Sequence, residues 1–103
     1  MADTSPLISG VAERYASSLF ELALETGSID KVSADLDRFQ ALLDESEDLR
    51  RLVASPVFSA HDQQNAVTAV AEKAGITGAV LNFIKVVAGN RRLFALPGMI
   101  RSF

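Results

Sequence analysis

The chain has 103 residues, 49% of them hydrophobic and 22% charged, with a formal net charge of -3 and no cysteine. A chain of this length forms one domain that can bury an apolar core without disulfide bonds, and the lack of cysteine excludes thiolate zinc sites and a cysteine nucleophile. The slightly acidic balance argues against a nucleic-acid partner, and no apolar run approaches the ~20 residues that span a bilayer, so we expect neither nucleic-acid binding nor membrane insertion.

The first predicted helix covers about residues 8–25, with Ser9 as its N-cap and Gly27 as the residue that closes it. Its apolar side chains cover roughly 220° of the helical wheel, whereas a helix packed on a core needs only ~100° or a little more. These side chains are Ile8, Val11, Ala12, Tyr15, Ala16, Leu19, Phe20, Leu22, Ala23 and Leu24. The first helix therefore has more apolar surface than one packing face requires.

The next three predicted helices are ordinary core-packing helices. The second follows Ser28, a suitable N-cap, and carries a one-sided stripe of Ile29, Val32, Leu36, Phe39, Leu42 and Leu43. The third covers about residues 47–54 and is capped by Ser46. The fourth begins after Ser59 and ends at Gly75, and its small apolar residues permit close packing against a neighbour.

The fifth predicted helix repeats the surplus of the first. Thr77 is its expected N-cap, and it stops near Gly89 and Asn90, which tolerate left-handed backbone angles. Its apolar side chains again fill an arc of roughly 220°. They are Ala79, Val80, Leu81, Phe83, Ile84, Val86, Val87 and Ala88.

A sixth helix is expected to begin near Leu93 or at Pro97, where proline fits a first turn. No strand is predicted, because the paired valine and leucine residues lie inside helical periods. The sequence therefore predicts an all-α fold, a six-helix bundle joined by short loops. The last helix has no C-cap before the chain ends, so we expect the chain to be a fragment of a longer protein.

The reactive residues form no catalytic or metal-binding pattern. His61 is the one histidine, and a zinc site needs more ligands; we interpret it as a solvated residue of a first helical turn. The acidic run at residues 44–48 lacks the ligand spacing of a calcium loop. Arg91 and Arg92 are expected to contact the last carbonyl groups of the fifth helix, with an anion clamp as the alternative. We expect no catalytic residue, no metal and no cofactor.

The first and fifth helices each present an apolar edge that a partner helix could cover. The edge of the first helix is Val11, Tyr15, Ser18 and Leu22. The edge of the fifth helix is Ala79, Phe83, Val86 and Asn90. Side by side, two such edges form a trough for a third helix. The helical wheel alone does not choose between these edges and the opposite ones, which are Phe20 with Leu24 and Leu81 with Ile84.

Two blocks of sequence resemble a known family. The first is Glu-Arg-Tyr-Ala at residues 13–16, followed by Leu-Phe-Glu-Leu-Ala at residues 19–23. The second is Ala-Gly-Asn-Arg-Arg-Leu at residues 88–93, with Leu-Pro at residues 96–97. Together they resemble the opening helix and the "N-x-R-L…L-P" junction of the delta subunit of bacterial rotary ATP synthases, a relative of the mitochondrial oligomycin-sensitivity-conferring protein. The order of the helices also fits, so the resemblance covers the whole chain.

The resemblance implies a non-enzymatic stator part that sits on the catalytic head. In that family the N-terminal domain is a six-helix bundle, and an amphipathic helix from the N-terminus of an alpha subunit lies in a groove between helices one and five. The family's C-terminal domain joins the b subunits of the peripheral stalk. Residues 1–103 would then be the N-terminal domain, without the stalk-binding domain, at the cytoplasmic face of the bacterial inner membrane.

The expected groove residues combine the two edges with Leu19, which the resemblance favours along with Tyr15, Phe83 and Val86. The full set is Val11, Tyr15, Ser18, Leu19, Leu22, Ala79, Phe83, Val86 and Asn90. Three alternatives stay open: the two helices lie at the centre of the bundle, the chain is a generic helical adaptor that self-associates as death-fold domains do, or it is a phosphotransfer domain that uses His61.

Overall fold

The computed structural model describes residues 6–55 and 57–103. They form α1 (Pro6–Glu25), α2 (Ile29–Glu45), α3 (Glu47–Ala54), α4 (Ala60–Lys73), α5 (Ala79–Gly89) and α6 (Leu96–Ser102), with a 3₁₀ turn at Leu93–Ala95. Within these residues there are six α-helices and no strand. The predicted all-α fold of six helices is confirmed.

Glycine closes two of the helices as predicted. Gly27 follows α1 with φ 65°, and Gly75 follows α4 with φ 85°. In both cases the N–H of the next residue bonds back to a carbonyl group in the last turn, at 2.9 Å for Ser28 and 3.0 Å for Ile76. This is the Schellman closure, and it uses the left-handed conformation that glycine adopts without steric strain.

Serine caps two helix starts and misses two others. The hydroxyl groups of Ser46 and Ser59 accept hydrogen bonds from the N–H three residues later, at 3.1 and 3.0 Å. Ser28 holds the N-cap position of α2, but its hydroxyl pairs with that of Thr26 at 2.7 Å and makes no cap hydrogen bond. The prediction for Ser9 is wrong, because α1 already begins at Pro6, three residues earlier.

The start of α5 also differs from the prediction. Gly78, with φ 68°, occupies the N-cap position that was expected for Thr77. The carbonyl and hydroxyl oxygens of Thr77 instead accept hydrogen bonds from Lys31 Nζ, at 3.4 and 3.3 Å. Lys31 also pairs with the buried carboxylate of Asp35 at 2.7 Å. The loop before α5 is therefore fastened to α2.

The end of α5 is closed by backbone groups rather than by arginine side chains. The N–H groups of Arg91 and Arg92 bond to carbonyl groups in the last turn, at 3.1 and 3.0 Å. Arg91 takes the left-handed conformation, with φ 60°, that was expected at Gly89 or Asn90. Its guanidinium donates to the carbonyl of Phe58 at 2.7 Å, so the predicted contact of its side chain with α5 is wrong.

The packing partners of α1 and α5 determine which of their faces stay open. Most of the contacts of α1 are with α6, and most of those of α5 are with α4. Gly98 of α6 approaches α1 so closely that a Cβ there would lie 3.5 Å from the methyl group of Ala12. Ile84 of α5 is fully buried. Because α1 and α5 each have their main neighbour on another side, the edge between them is only partly covered.

Candidate functional site: an apolar groove between two helices

An open groove of about 460 Å³ runs between α1 and α5. We call it the α1–α5 groove, and nine residues line it. They are Arg14, Tyr15, Ser18, Leu19, Leu22, Ala79, Asn82, Phe83 and Val86. Five come from α1 and four from α5, and most of the surface they present is apolar.

The groove has a covered floor and two exposed rims. Leu19 is buried, while Tyr15, Ala79 and Phe83 are half-buried, and together these four residues form the floor. The rims carry large apolar side chains that remain in solvent: Leu22 on α1 is 43% exposed, and Val86 on α5 is 55% exposed. Facing apolar rims over an apolar floor have the shape and chemistry that accept the apolar face of a helix.

Two contacts across the helices fix the geometry of the floor. The rings of Tyr15 and Phe83 meet edge to face, with centroids 6.3 Å apart and planes at 68°. Such a pair contributes about 0.5–1.5 kcal/mol beyond the burial of its area. The side-chain amide of Asn90 donates a hydrogen bond to the Tyr15 hydroxyl at 3.0 Å. Tyr15 thus joins the middle of α1 to the C-terminal end of α5.

The structure brings seven of the nine residues expected from the sequence into this groove. Val11 does not line it: only 7% exposed, it belongs to the core, next to the stretch of α1 against which Gly98 packs. Asn90 lies just past the end of α5 and reaches the groove through its hydrogen bond to Tyr15.

Two residues that line the groove, Arg14 and Asn82, were not among those expected from the sequence. Both are polar, so a search for apolar stripes passes over them. Their spacing could have found them, because Arg14 precedes Ser18 by four residues and Asn82 precedes Val86 by four. Residues four apart lie on the same face of a helix.

The opposite edges of the two helices do not meet in a common groove. The rings of Phe20 and Phe103 meet edge to face, with their centroids 5.4 Å apart. Beside them lies a smaller hollow of about 260 Å³ between α1 and the end of α6. Ile84 is fully buried, whereas Leu24 is 57% exposed. The alternative that the wheel left open therefore has no continuous trough.

His61, the one histidine of the chain, belongs to the first turn of α4. His61 is exposed, and its Nε2 lies 3.1 Å from the side-chain amide of Asn65. The described residues contain no cluster of three or more histidine, aspartate or glutamate side chains that could hold a metal ion. Among them, too, no helix combines the length with the apolar composition that a bilayer-spanning segment needs.

The fold and the groove define a class: a small all-α bundle with an open apolar trough between its first and fifth helices. The family model described as "ATP synthase delta (OSCP) subunit" matches residues 11–103. The chain belongs to this family, so the resemblance inferred from the two sequence blocks is confirmed.

Similar proteins carry the name "ATP synthase subunit delta". Those of Rhizobium leguminosarum bv. trifolii (strain WSM2304), Sinorhizobium fredii (strain NBRC 101917 / NGR234) and Agrobacterium fabrum (strain C58 / ATCC 33970) are 73%, 72% and 68% identical to this chain over 103 residues. The match covers 100% of the chain and 55% of each relative. The chain thus spans about half the length of the curated relatives it matches.

Proposed function

We propose that this chain is the head-binding part of a non-catalytic stator subunit of a proton-translocating ATP synthase. In this proposal the α1–α5 groove holds an amphipathic helix from the N-terminus of an alpha subunit of the catalytic head. The observation that supports it most strongly is the pair of exposed apolar rims, Leu22 and Val86, on either side of a preformed floor. Membership of the delta-subunit family supports the identity of the complex.

The dimensions of the groove suit a short helical contact. Its α1 side extends from residue 14 to residue 22, which is eight helical rises, or about 12 Å. That length accommodates roughly two turns of a bound helix. Two turns present three apolar side chains at i, i+3 or i+4, and i+7, which is the usual pattern of anchors in a helix-binding groove.

The mechanical role follows from burial. A stator must hold the catalytic head still while the rotor turns, and buried apolar contact resists separation without requiring a chemical step. The part of the longer relatives that lies outside the match would join the b subunits of the peripheral stalk. The assembled protein would sit peripherally at the cytoplasmic face of the bacterial inner membrane.

The proposal is tested by titrating the chain with a synthetic peptide of the first ~20 residues of the alpha subunit from the same organism, about 30 Å long as a helix. Isothermal titration calorimetry should show one saturable site. Tyr15→Ala and Phe83→Ala should weaken binding, because each removes half of the aromatic floor. Phe94→Ala is the matched control, since Phe94 is 48% exposed and lies outside the groove. Unchanged affinity for both floor variants would refute the proposal.

Sedimentation of the same protein sample distinguishes the stator proposal from the alternative of a self-associating adaptor. If a second copy of the chain covered the groove, sedimentation velocity would show a concentration-dependent dimer without peptide, and Val86→Asp would dissociate it. A concentration-independent monomer that binds the peptide favours the stator proposal.

A further inference from the structure

Arg14 is the one charged side chain among the nine residues that line the α1–α5 groove. It is exposed, and within the described part of the chain it takes part in none of the ion pairs, which join Lys31 or Arg38 to Asp35 and Arg51 to Glu47. An arginine on the rim of an apolar groove that forms no ion pair with a described residue can pair with an acidic group on the molecule that fills the groove.

The other charges of α1 and α5 do not neutralise Arg14. Glu21 is seven residues further on, near the same side of α1 but about 10 Å along the helix axis, where it lines the hollow beside Phe103. Lys85 of α5 is itself a cation and lines a hollow shared with α4. Glu13 directly precedes Arg14 in the chain, and adjacent residues of a helix do not face each other. Glu25 follows by eleven residues, about 16 Å along the helix, which exceeds the ~8 Å over which exposed charges interact at physiological salt.

The polar neighbours on the rim do not compete for the guanidinium either. The Ser18 hydroxyl donates a hydrogen bond to the backbone carbonyl of Arg14 at 3.1 Å. The amide of Asn90 donates to the Tyr15 hydroxyl. The guanidinium itself offers five N–H donors in a planar fork, which matches the two oxygens of a carboxylate.

We propose that Arg14 selects a partner helix that carries an aspartate or glutamate at one end of its apolar stripe. This inference rests on the proposed function, because it specifies the chemistry of the helix in the groove. A charge at the rim of an interface chiefly sets register, orientation and the rate of association, while the apolar contacts supply most of the affinity. Arg14 would thus determine which way, and how far along, the helix is seated.

The position of Arg14 also restricts where the acid lies. Arg14 is the first α1 residue of the groove, next to Tyr15, and the apolar rim residue Leu22 lies eight positions further on. A bound helix that places a carboxylate at Arg14 therefore sets its apolar side chains within the following two turns, toward Leu22 and Ala79. An acid in the middle of the apolar stripe would instead meet the floor formed by Leu19 and Phe83.

The test uses the alpha-subunit N-terminal peptide and variants in which each acid is replaced singly by its amide, Glu→Gln or Asp→Asn. Binding is measured to the unmodified chain, to Arg14→Gln and to Arg51→Gln. Arg51 is the matched control, because it is an exposed arginine of α3 whose replacement changes the net charge equally. One peptide replacement should weaken binding to the unmodified chain and to Arg51→Gln by about two- to fivefold, and should have no further effect on Arg14→Gln.

Salt gives a second readout that a purely structural role of Arg14 would not change. Raising the ionic strength should weaken binding to the unmodified chain more than binding to Arg14→Gln, because ion pairs at a rim are screened. If Arg14→Gln binds every peptide as tightly as the unmodified chain, while Tyr15→Ala still weakens binding, the inference is overturned and the groove stands. If no peptide binds the unmodified chain, the proposed function falls and this inference with it.

Discussion

Removing the two exposed rims together is the sharpest perturbation of the α1–α5 groove. The variant is Leu22→Ala combined with Val86→Ala, which deletes three carbons from one rim and two from the other. Leu22 is 43% and Val86 55% exposed in the free chain. Each deleted CH₂ is worth ~0.8 kcal/mol when fully buried, and we scale this value by the exposed fraction that a partner would cover. The binding free energy then falls by about 1.0 kcal/mol for Leu22→Ala and by about 0.9 kcal/mol for Val86→Ala.

The sum of about 2 kcal/mol corresponds to roughly 25-fold weaker binding of the alpha-subunit peptide. The assay is calorimetric titration of the double variant beside the unmodified chain, with circular dichroism to show that both remain helical and unfold cooperatively. The matched control is Leu24→Ala combined with Val57→Ala, because these side chains are 57% and 85% exposed and line no part of the groove. Equal losses of affinity in the two double variants, or none in either, would refute the assignment of the rims.

Three further predictions concern stability and are measured by urea unfolding. Gln63→Leu should lower the free energy of unfolding by about 1–3 kcal/mol, because the buried amide of Gln63 donates to the carbonyl groups of Leu52 and Ser55 at 2.9 and 3.0 Å and leucine offers no donor in its place. The control Gln40→Leu removes only an exposed hydrogen bond to Asp44 and should lower it less. A larger loss for Gln40→Leu than for Gln63→Leu would contradict the assignment. Gly75→Ala should cost about 1 kcal/mol or more, since φ there is 85°. Gly10→Ala should stabilise the chain by up to about 1 kcal/mol, because this glycine lies inside α1 and no described atom lies within 4 Å of an added Cβ; a loss of stability would contradict that reading.

The elements that could be predicted from sequence are those specified by neighbours in the chain. The caps at Ser46 and Ser59 and the glycine closures at Gly27 and Gly75 involve partners no more than five residues away. Such contacts depend on local backbone geometry, which the residue type largely decides. The helix order and the six-helix fold follow from the same local signals.

Two of the errors arise where a distant residue decides the local structure. Thr77 does not cap α5, and its oxygens accept from Lys31, which is 46 residues away in sequence. The side chain of Arg91 binds the carbonyl of Phe58, 33 residues away. No local pattern contains either partner, so the spacing of residues around Thr77 or Arg91 could not have indicated them.

The groove shows the same division between local and tertiary information. The wide apolar arcs of α1 and α5 predicted surplus surface on both helices, and Leu22 and Val86 do stay exposed. Which edge stays open depends on where α6 and α4 pack, and that is tertiary information. Val11 lies in the core and not in the groove, and burial of Ile84 removes the alternative edge of α5.

The central claim is that a foreign helix covers the α1–α5 groove, and nuclear magnetic resonance tests it most directly. The amide spectrum of ¹⁵N-labelled chain is recorded while the unlabelled alpha-subunit peptide is added. We predict saturable shifts at Tyr15, Leu22, Phe83 and Val86, with little change at Val57 in the α3–α4 loop. Saturable shifts confined to other helices, or no saturable shift at any peptide concentration, would contradict the account.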